Sequence, residues 1–186
     1  MKSIITGGAG FIGSHLCERL VDAGHGVIIL DNFSLGKKNN LKKVKDKITI
    51  VKRDIRNLNS INNLFKKAQN VFHLAALADI VPSIENPGDY FSTNVTGTYN
   101  VLKASIDNKV KRFIYSASSS CYGIPNKFPT KETSEISPQY PYALSKRLGE
   151  ELVIHFANIY NLNATSLRLF NVYGPRSRTS GNYGAV

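Results

Sequence analysis

Tyr142 and Lys146 stand four residues apart in "YPYALSK" (Tyr140–Lys146), where a helix-period segment begins, so their side chains share one helix face. A lysine ammonium beside a phenol favours the phenolate by Coulomb attraction, which suits the tyrosine to general-base work near neutral pH. Upstream, "FIYSASSSCYG" (Phe113–Gly123) ends an apolar run in a cluster of hydroxyls. Taken alone, a Tyr-x-x-x-Lys pair is a common accident. Its weight comes from what stands near the N-terminus.

There, "SIITGGAGFIGSHL" (Ser3–Leu16) places Gly7, Gly10 and Gly13 between an apolar strand-like run and a helix-period segment. In that context the first glycine permits a tight turn, the second lets a pyrophosphate approach the backbone, and the third lets helix pack on strand. Amides at the helix start then face the negative charge. The next apolar run ends in Asp31, about 20 residues beyond the loop, the position of a ribose-binding carboxylate that favours NAD over NADP. Lys37 and Lys38 follow and soften that preference unless they are helix surface. Asp54 and Ile55, after the third run, suit an adenine contact, with a helix N-cap as the equal alternative for Asp54.

The elements that must position these residues alternate strand and helix along the chain. Strands are predicted at Lys2–Thr6, Gly26–Asp31, Ile48–Lys52, Asn70–Leu74, Arg112–Ser116 and Thr165–Leu169. Helices are predicted at Phe11–Ala23, Leu58–Lys67, within Tyr90–Asn108, and at Tyr142–Tyr160. This is the pattern of an α/β fold, a doubly wound Rossmann-type parallel sheet with helices on both faces. With 186 residues and 42% hydrophobic content, the chain is large enough to bury one core. The net charge of +11 invites an anionic partner, but the lysine pairs lack the interleaved aromatics of a single-strand nucleic-acid groove. Neither nucleic acid nor membrane is expected as a partner. Cys17 and Cys121 match no metal spacing, no metal site is expected, and the expected location is cytoplasmic. His15, His25, His73 and His155 form no ligand array and read as structural or solvated.

The sequence resembles the extended short-chain dehydrogenase/reductases, specifically the NAD-dependent epimerase/dehydratase family that works on nucleotide sugars. The resemblance is carried in family order by "TGGAGFIG" (Thr6–Gly13), "DNFSLG" (Asp31–Gly36), "RDI" (Arg53–Ile55), "HLAA" (His73–Ala76) and "NVTGTYNVL" (Asn94–Leu102). It continues through "SASSSCYG" (Ser116–Gly123), "YALSK" (Tyr142–Lys146) and "RLFNVYGP" (Arg168–Pro175). For the cofactor NAD it implies contacts by Gly7, Gly10, Phe11, Ile12 and Gly13, by Asp31, Asn32 and Ser34, and by Asp54 and Ile55. Leu74, Ala75 and Ala76 would back the cofactor, and Leu169 and Phe170 would lie beside its nicotinamide. The implied catalytic residues are Ser118, Tyr142 and Lys146, with Asn171 on the diphosphate of the sugar nucleotide.

The chemistry so implied is a transient oxidation at C4 of a UDP-sugar. Tyr142 takes the hydroxyl proton, Ser118 hydrogen-bonds the same oxygen, and Lys146 holds the cofactor ribose and lowers the phenol's pKa. Turnover of the 4-keto sugar before hydride return gives the C4 epimer. The family's dehydratases carry an Asp-Glu pair where this chain has Ser120 and Cys121, and its decarboxylases carry Glu in place of Cys121, so a 4-epimerase is the simplest reading. Dehydration or decarboxylation is the alternative within the family, and a non-catalytic NAD-binding module the alternative outside it. Asp79 departs from the small residues many relatives have there, which leaves sugar contacts by Ile80 and Ser83 open. A homodimer built on the helix within Tyr90–Asn108 and on Tyr142–Tyr160 is expected. The whole chain, residues 1–186, reads as a cofactor domain, with a small nucleotide-sugar-binding domain expected beyond Val186.

Overall fold

Alternation within the apolar runs explains how one sheet serves two cores. In the computed structural model, which describes residues 1–177, Ile4, Ile28 and Leu30 point into one apolar layer, while Ile5, Val27 and Ile29 point into the opposite one. The closing "SGNYGAV" lies outside the described residues.

Six parallel strands make the sheet: β1 (Lys2–Thr6), β2 (Gly26–Asp31), β3 (Ile48–Lys52), β4 (Asn70–His73), β5 (Arg112–Ser118) and β6 (Asn163–Leu169). Their order is β3-β2-β1-β4-β5-β6. The strand order therefore reverses between the parallel neighbours β1 and β4, and ligands of such sheets bind in the crevice outside the strand carboxyl ends at that switch point.

Helix α1 (Phe11–Asp22) covers one face, its Cys17 buried against Ile5 and Ile29. The opposite face is covered by α2 (Leu58–Ile61), α5 (Gly97–Asp107) and α6 (Pro141–Tyr160), whose Val101, Leu102 and Val153 join Phe113 and Tyr115 in the larger core. Two short helices, α3 (Ile80–Glu85) and α4 (Pro87–Phe91), stand before α5.

Several boundaries differ from the sequence reading. The predicted Leu58–Lys67 helix tightens at Ile61 into a 3-10 turn over Asn62–Phe65, and Lys67 takes a positive φ of 62° that no helix continues. The long helix within Tyr90–Asn108 is broken by a π-helical segment, Ser92–Thr96, whose reason is the side chain of Asn94. Its Oδ1 accepts from Leu77 N at 2.9 Å, and its Nδ2 donates to Leu77 O at 3.0 Å and Ser145 Oγ at 2.9 Å. Strand β4 ends one residue early, and α1 ends at Asp22. Strand β5 runs on to Ser118, β6 starts two residues early at Asn163, and Pro141 at the first helical position starts α6 one residue ahead of Tyr142.

Candidate active site

Gly7 turns the chain out of β1 at φ +68°, and a Cβ there would lie 2.7 Å from the amide nitrogen of Ala75. The loop thus lies flat on the end of β4, which only glycine allows. Gly13 serves the packing on the other side: a Cβ would collide with the Gly7 carbonyl. Gly10 caps α1 without a side chain and no acidic residue stands in the first turn, so the amides of that turn and the helix dipole stay available to an anion.

The end of β4 is held by a buried polar relay. Thr98 Oγ1 donates to Asn94 O at 2.6 Å, so its oxygen accepts from His73 Nε2 at 2.9 Å. The other ring nitrogen, Nδ1, then accepts from Thr6 Oγ1 at 2.6 Å, and Thr6 in turn accepts from the amides of Leu74 and Ala75. Burial, helped by the charge of Lys146, pushes the His73 imidazole down to about 3 and keeps it neutral. His73 is therefore a structural element of the site floor.

Asp31, at the end of β2, accepts from Ala9 N at 2.9 Å and Phe33 N at 2.7 Å, one bond to each oxygen. The expected ribose acid thus also pins the glycine loop, a role its spacing did not reveal. Asp54 is not a helix cap. Asn57 caps α2, while the Arg56 guanidinium, with further hydrogen bonds from Arg56 N and Asn32 Nδ2, holds the Asp54 carboxyl down at about 2 despite partial burial. A groove of about 690 Å³ runs from these residues past Gly7 and Gly10 to Ala75. Asn32, Ser34 and Ile55 line it too, as do Lys37, Arg53, Arg56 and Arg176, cations that spacing alone did not assign.

A second cavity of about 600 Å³ adjoins it, the two meeting at Phe11, Leu74, Ala76 and Ala78. Ser118, Tyr142 and Lys146 converge on this second space, together with Ile12, Leu169, Phe170 and Asn171. Of the predicted site residues only Gly13 faces neither cavity; it packs within the loop. Ser118 Oγ lies 2.8 Å from Ser120 Oγ, so the two hydroxyls share a hydrogen bond beside the cavity. Tyr122, also unassigned by sequence, walls the cavity, stacks on Phe170 with ring centroids 6.4 Å apart, and accepts from Arg168 at 2.7 Å.

The electrostatics correct one expectation. Burial raises the Tyr142 phenol above its usual range, the hydrogen bond with Ser118 lowers it, and the nearby Asp79 carboxylate raises it further. The expected lowering by Lys146 does not offset this, because burial pushes its own ammonium down to about 7 and leaves only part of the population charged at neutral pH. Glu150, one turn on, opposes that fall. Although burial would neutralise Glu150, hydrogen bonds from Arg168, Ser166 and Arg147 hold it ionised.

Pre-formed glycine amides, a carboxylate at the β2 end and a groove across the switch point fit a dinucleotide, and the adjoining hydroxyl, phenol and amine fit alcohol oxidation beside it. Among the described residues no group of side chains could hold a metal ion, and no helix is long and apolar enough to cross a membrane. Known proteins agree with the dinucleotide reading. The UDP-glucose 4-epimerase of Mycolicibacterium smegmatis is 37% identical over 190 residues, covering 100% of this chain and 61% of that protein. The UDP-N-acetyl-alpha-D-glucosaminuronate decarboxylase of Bacillus cytotoxicus is 38% identical over 193 residues, covering 100% and 58%. The structure of the UDP-glucose 4-epimerase of Thermotoga maritima with UDP-glucose superposes with a TM-score of 0.93 at 38% identity, covering 99% of this chain and 60% of that one. The chain thus spans about three fifths of the length of these relatives. Residues 3–186 match the profile of the NAD dependent epimerase/dehydratase family, and the chain belongs to that family.

Proposed function

We propose that the protein is an NAD-dependent 4-epimerase of a UDP-sugar of the glucose, N-acetylglucosamine or glucuronate class. The observation that carries this reading is the convergence of Ser118, Tyr142 and Lys146 on a cavity that opens into the dinucleotide groove. The UDP-glucose 4-epimerases among its relatives support the substrate class.

NAD, when bound, supplies the acceptor of the sugar's C4 hydride and returns it. Tyr142 removes the proton of the 4-hydroxyl and later gives it back, and Ser118 hydrogen-bonds the oxygen through both steps. Lys146 holds a ribose of the cofactor and, once anionic diphosphates enter and raise its pKa, supplies the positive charge that the buried phenol needs to act as base. The 4-keto sugar turns over between the two steps. Asp31, with Asn32 and Ser34, takes the adenosine ribose, and Asn171 takes the sugar-nucleotide diphosphate.

The second family reading, elimination or decarboxylation, needs an added acid and base beside Tyr122. Ser120 is tied to Ser118, and Cys121 is buried with its thiol pushed up by that burial, so neither serves. The uridine-holding small domain is assigned to the share of the relatives' length that this chain does not span. A homodimer through α5 and α6 is part of the same reading, since Tyr99, Ile154, Ile159 and Tyr160 leave an apolar strip exposed there. So is a cytoplasmic location, where the free thiols of Cys17 and Cys121 stay reduced.

The test is product analysis by anion-exchange chromatography after incubating the full-length protein with NAD and UDP-hexoses, UDP-N-acetylhexosamines and UDP-hexuronates. A C4 epimer formed by the wild type and absent with Tyr142→Phe supports the reading. Loss of water or carbon dioxide would replace it with the second one.

A further inference from the structure

After β6 the chain does not leave the molecule but crosses from one cavity to the other. Phe170, Asn171 and Val172 line the space with Ser118 and Tyr142, and four residues later Arg176 and Ser177 line the dinucleotide groove with Gly7, Gly10 and Phe11. Between these points the segment is fastened to α1, the helix whose N-terminus closes the glycine loop. His15 Nε2 donates to Pro175 O at 2.8 Å, and Gly174 lies on the Phe11 ring, where a Cβ would sit 3.7 Å from two ring carbons. Arg176 makes the firmest attachment, donating to Ser14 Oγ at 3.1 Å and to the Glu18 carboxylate at 2.5 Å.

Arg176 holds a φ of +72°, a conformation that a non-glycine residue keeps only when its surroundings fix it. The bond to Glu18, with both side chains less than one-fifth exposed, is a charge-assisted contact of the stronger kind. Resting on the reading of the groove as the NAD site, we infer that residues 170–177 form a strap fastened by Arg176, Ser14 and Glu18 across the pyrophosphate stretch of the groove. Arg176 is then a positioning residue that retains the dinucleotide. NAD leaves only after the strap lifts from α1, which suits a cofactor that is reoxidised in place and has no need to exchange at each turnover.

Glu18 lines neither cavity, so it makes no direct contact with a dinucleotide in the groove, and its tie to Arg176 is its link to the strap. The experiment follows release of NADH, by its fluorescence, from full-length protein chased with excess NAD, comparing wild type with Glu18→Ala, Arg176→Ala and His15→Gln. Release is expected to rise tenfold or more in Glu18→Ala and in Arg176→Ala, and less in His15→Gln, with the association rate constant unchanged. Thermal unfolding of the ligand-free variants separates loss of the strap from loss of the fold, and His15→Gln, which leaves the Arg176 contacts intact, remains informative if Glu18→Ala unfolds. Release from folded Glu18→Ala at the wild-type rate would overturn the inference while leaving the cofactor site standing. A wild type that binds no NADH would remove the reading of the groove itself, and the inference with it.

Discussion

The ammonium of Lys146 lies 4.3 Å from the ring centroid of Tyr115, over the face of a phenol whose hydroxyl donates to the carbonyl of Lys146 itself. The ring face and Glu150 are the favourable electrostatic surroundings of a lysine that is otherwise fully desolvated. Because its folded pKa is depressed below the unfolded value, the unfolded chain binds the extra proton, and the stability penalty is full below about pH 7 and is relieved as pH rises toward the unfolded value. Denaturant titrations of the ligand-free protein at pH 6 and pH 9 are expected to show Lys146→Met gaining on wild type at pH 6, with the difference shrinking at pH 9. An equal difference at both values would mean that the ammonium is not desolvated.

Glu150 and Arg168 tie α6 to β6 and to Tyr122. Glu150 is 2% exposed and accepts from Arg168 Nε, Ser166 Oγ and Arg147. Removing one member of a buried pair strands the other, a loss of about 3–5 kcal/mol, whereas replacing both with apolar groups is far milder. Urea unfolding should therefore show Glu150→Ala and Arg168→Met each strongly destabilised and the double variant Glu150→Leu/Arg168→Met recovering much of the loss. Additive losses in the double variant would contradict a coupled pair.

Asp31 anchors the Ala9 amide of the glycine loop and the Phe33 amide of its own turn after β2, and presents the charge expected to repel a 2′-phosphate. Asp31→Ala leaves the buried Ala9 amide without its acceptor, a cost of about 1–3 kcal/mol, and frees the part-buried Phe33 amide as well, so NAD affinity should fall at least tenfold. Asp31→Asn should narrow the preference for NAD over NADP. Calorimetric titration with both dinucleotides measures the two effects. An unchanged NAD affinity in Asp31→Ala would place the adenosine ribose elsewhere.

The bounds of β1, β2 and β3 match the apolar runs to the residue; the central strands β1 and β2 were legible because buried parallel strands must be apolar on both faces, and the half-exposed edge strand β3 because it keeps the β-branched run Ile48–Val51. Glycine spacing, Asp31 and the Tyr142–Lys146 face were legible for the same kind of reason, since each follows from chain geometry over a few residues. What escaped depends on contacts between distant segments. Asn94 interrupts its helix because Leu77 and Ser145 are beside it, and His73 loses its basicity because the fold surrounds it. Tyr142 is raised instead of lowered for the same reason: burial, which no local spacing encodes, outweighs the hydrogen bond with Ser118, and Asp79 adds to it.

Under the proposed 4-epimerisation, Tyr142 abstracts a proton while the C4 hydrogen leaves and returns as hydride within one active site. The most direct measurement uses the UDP-sugar that the full-length protein converts, deuterated at C4, in ordinary water, with products resolved by mass spectrometry and proton NMR. An epimer that keeps its deuterium at C4 and fails to form with Tyr142→Phe is expected. Deuterium lost to solvent from C4, or an epimer still formed at the wild-type rate by Tyr142→Phe, would contradict it.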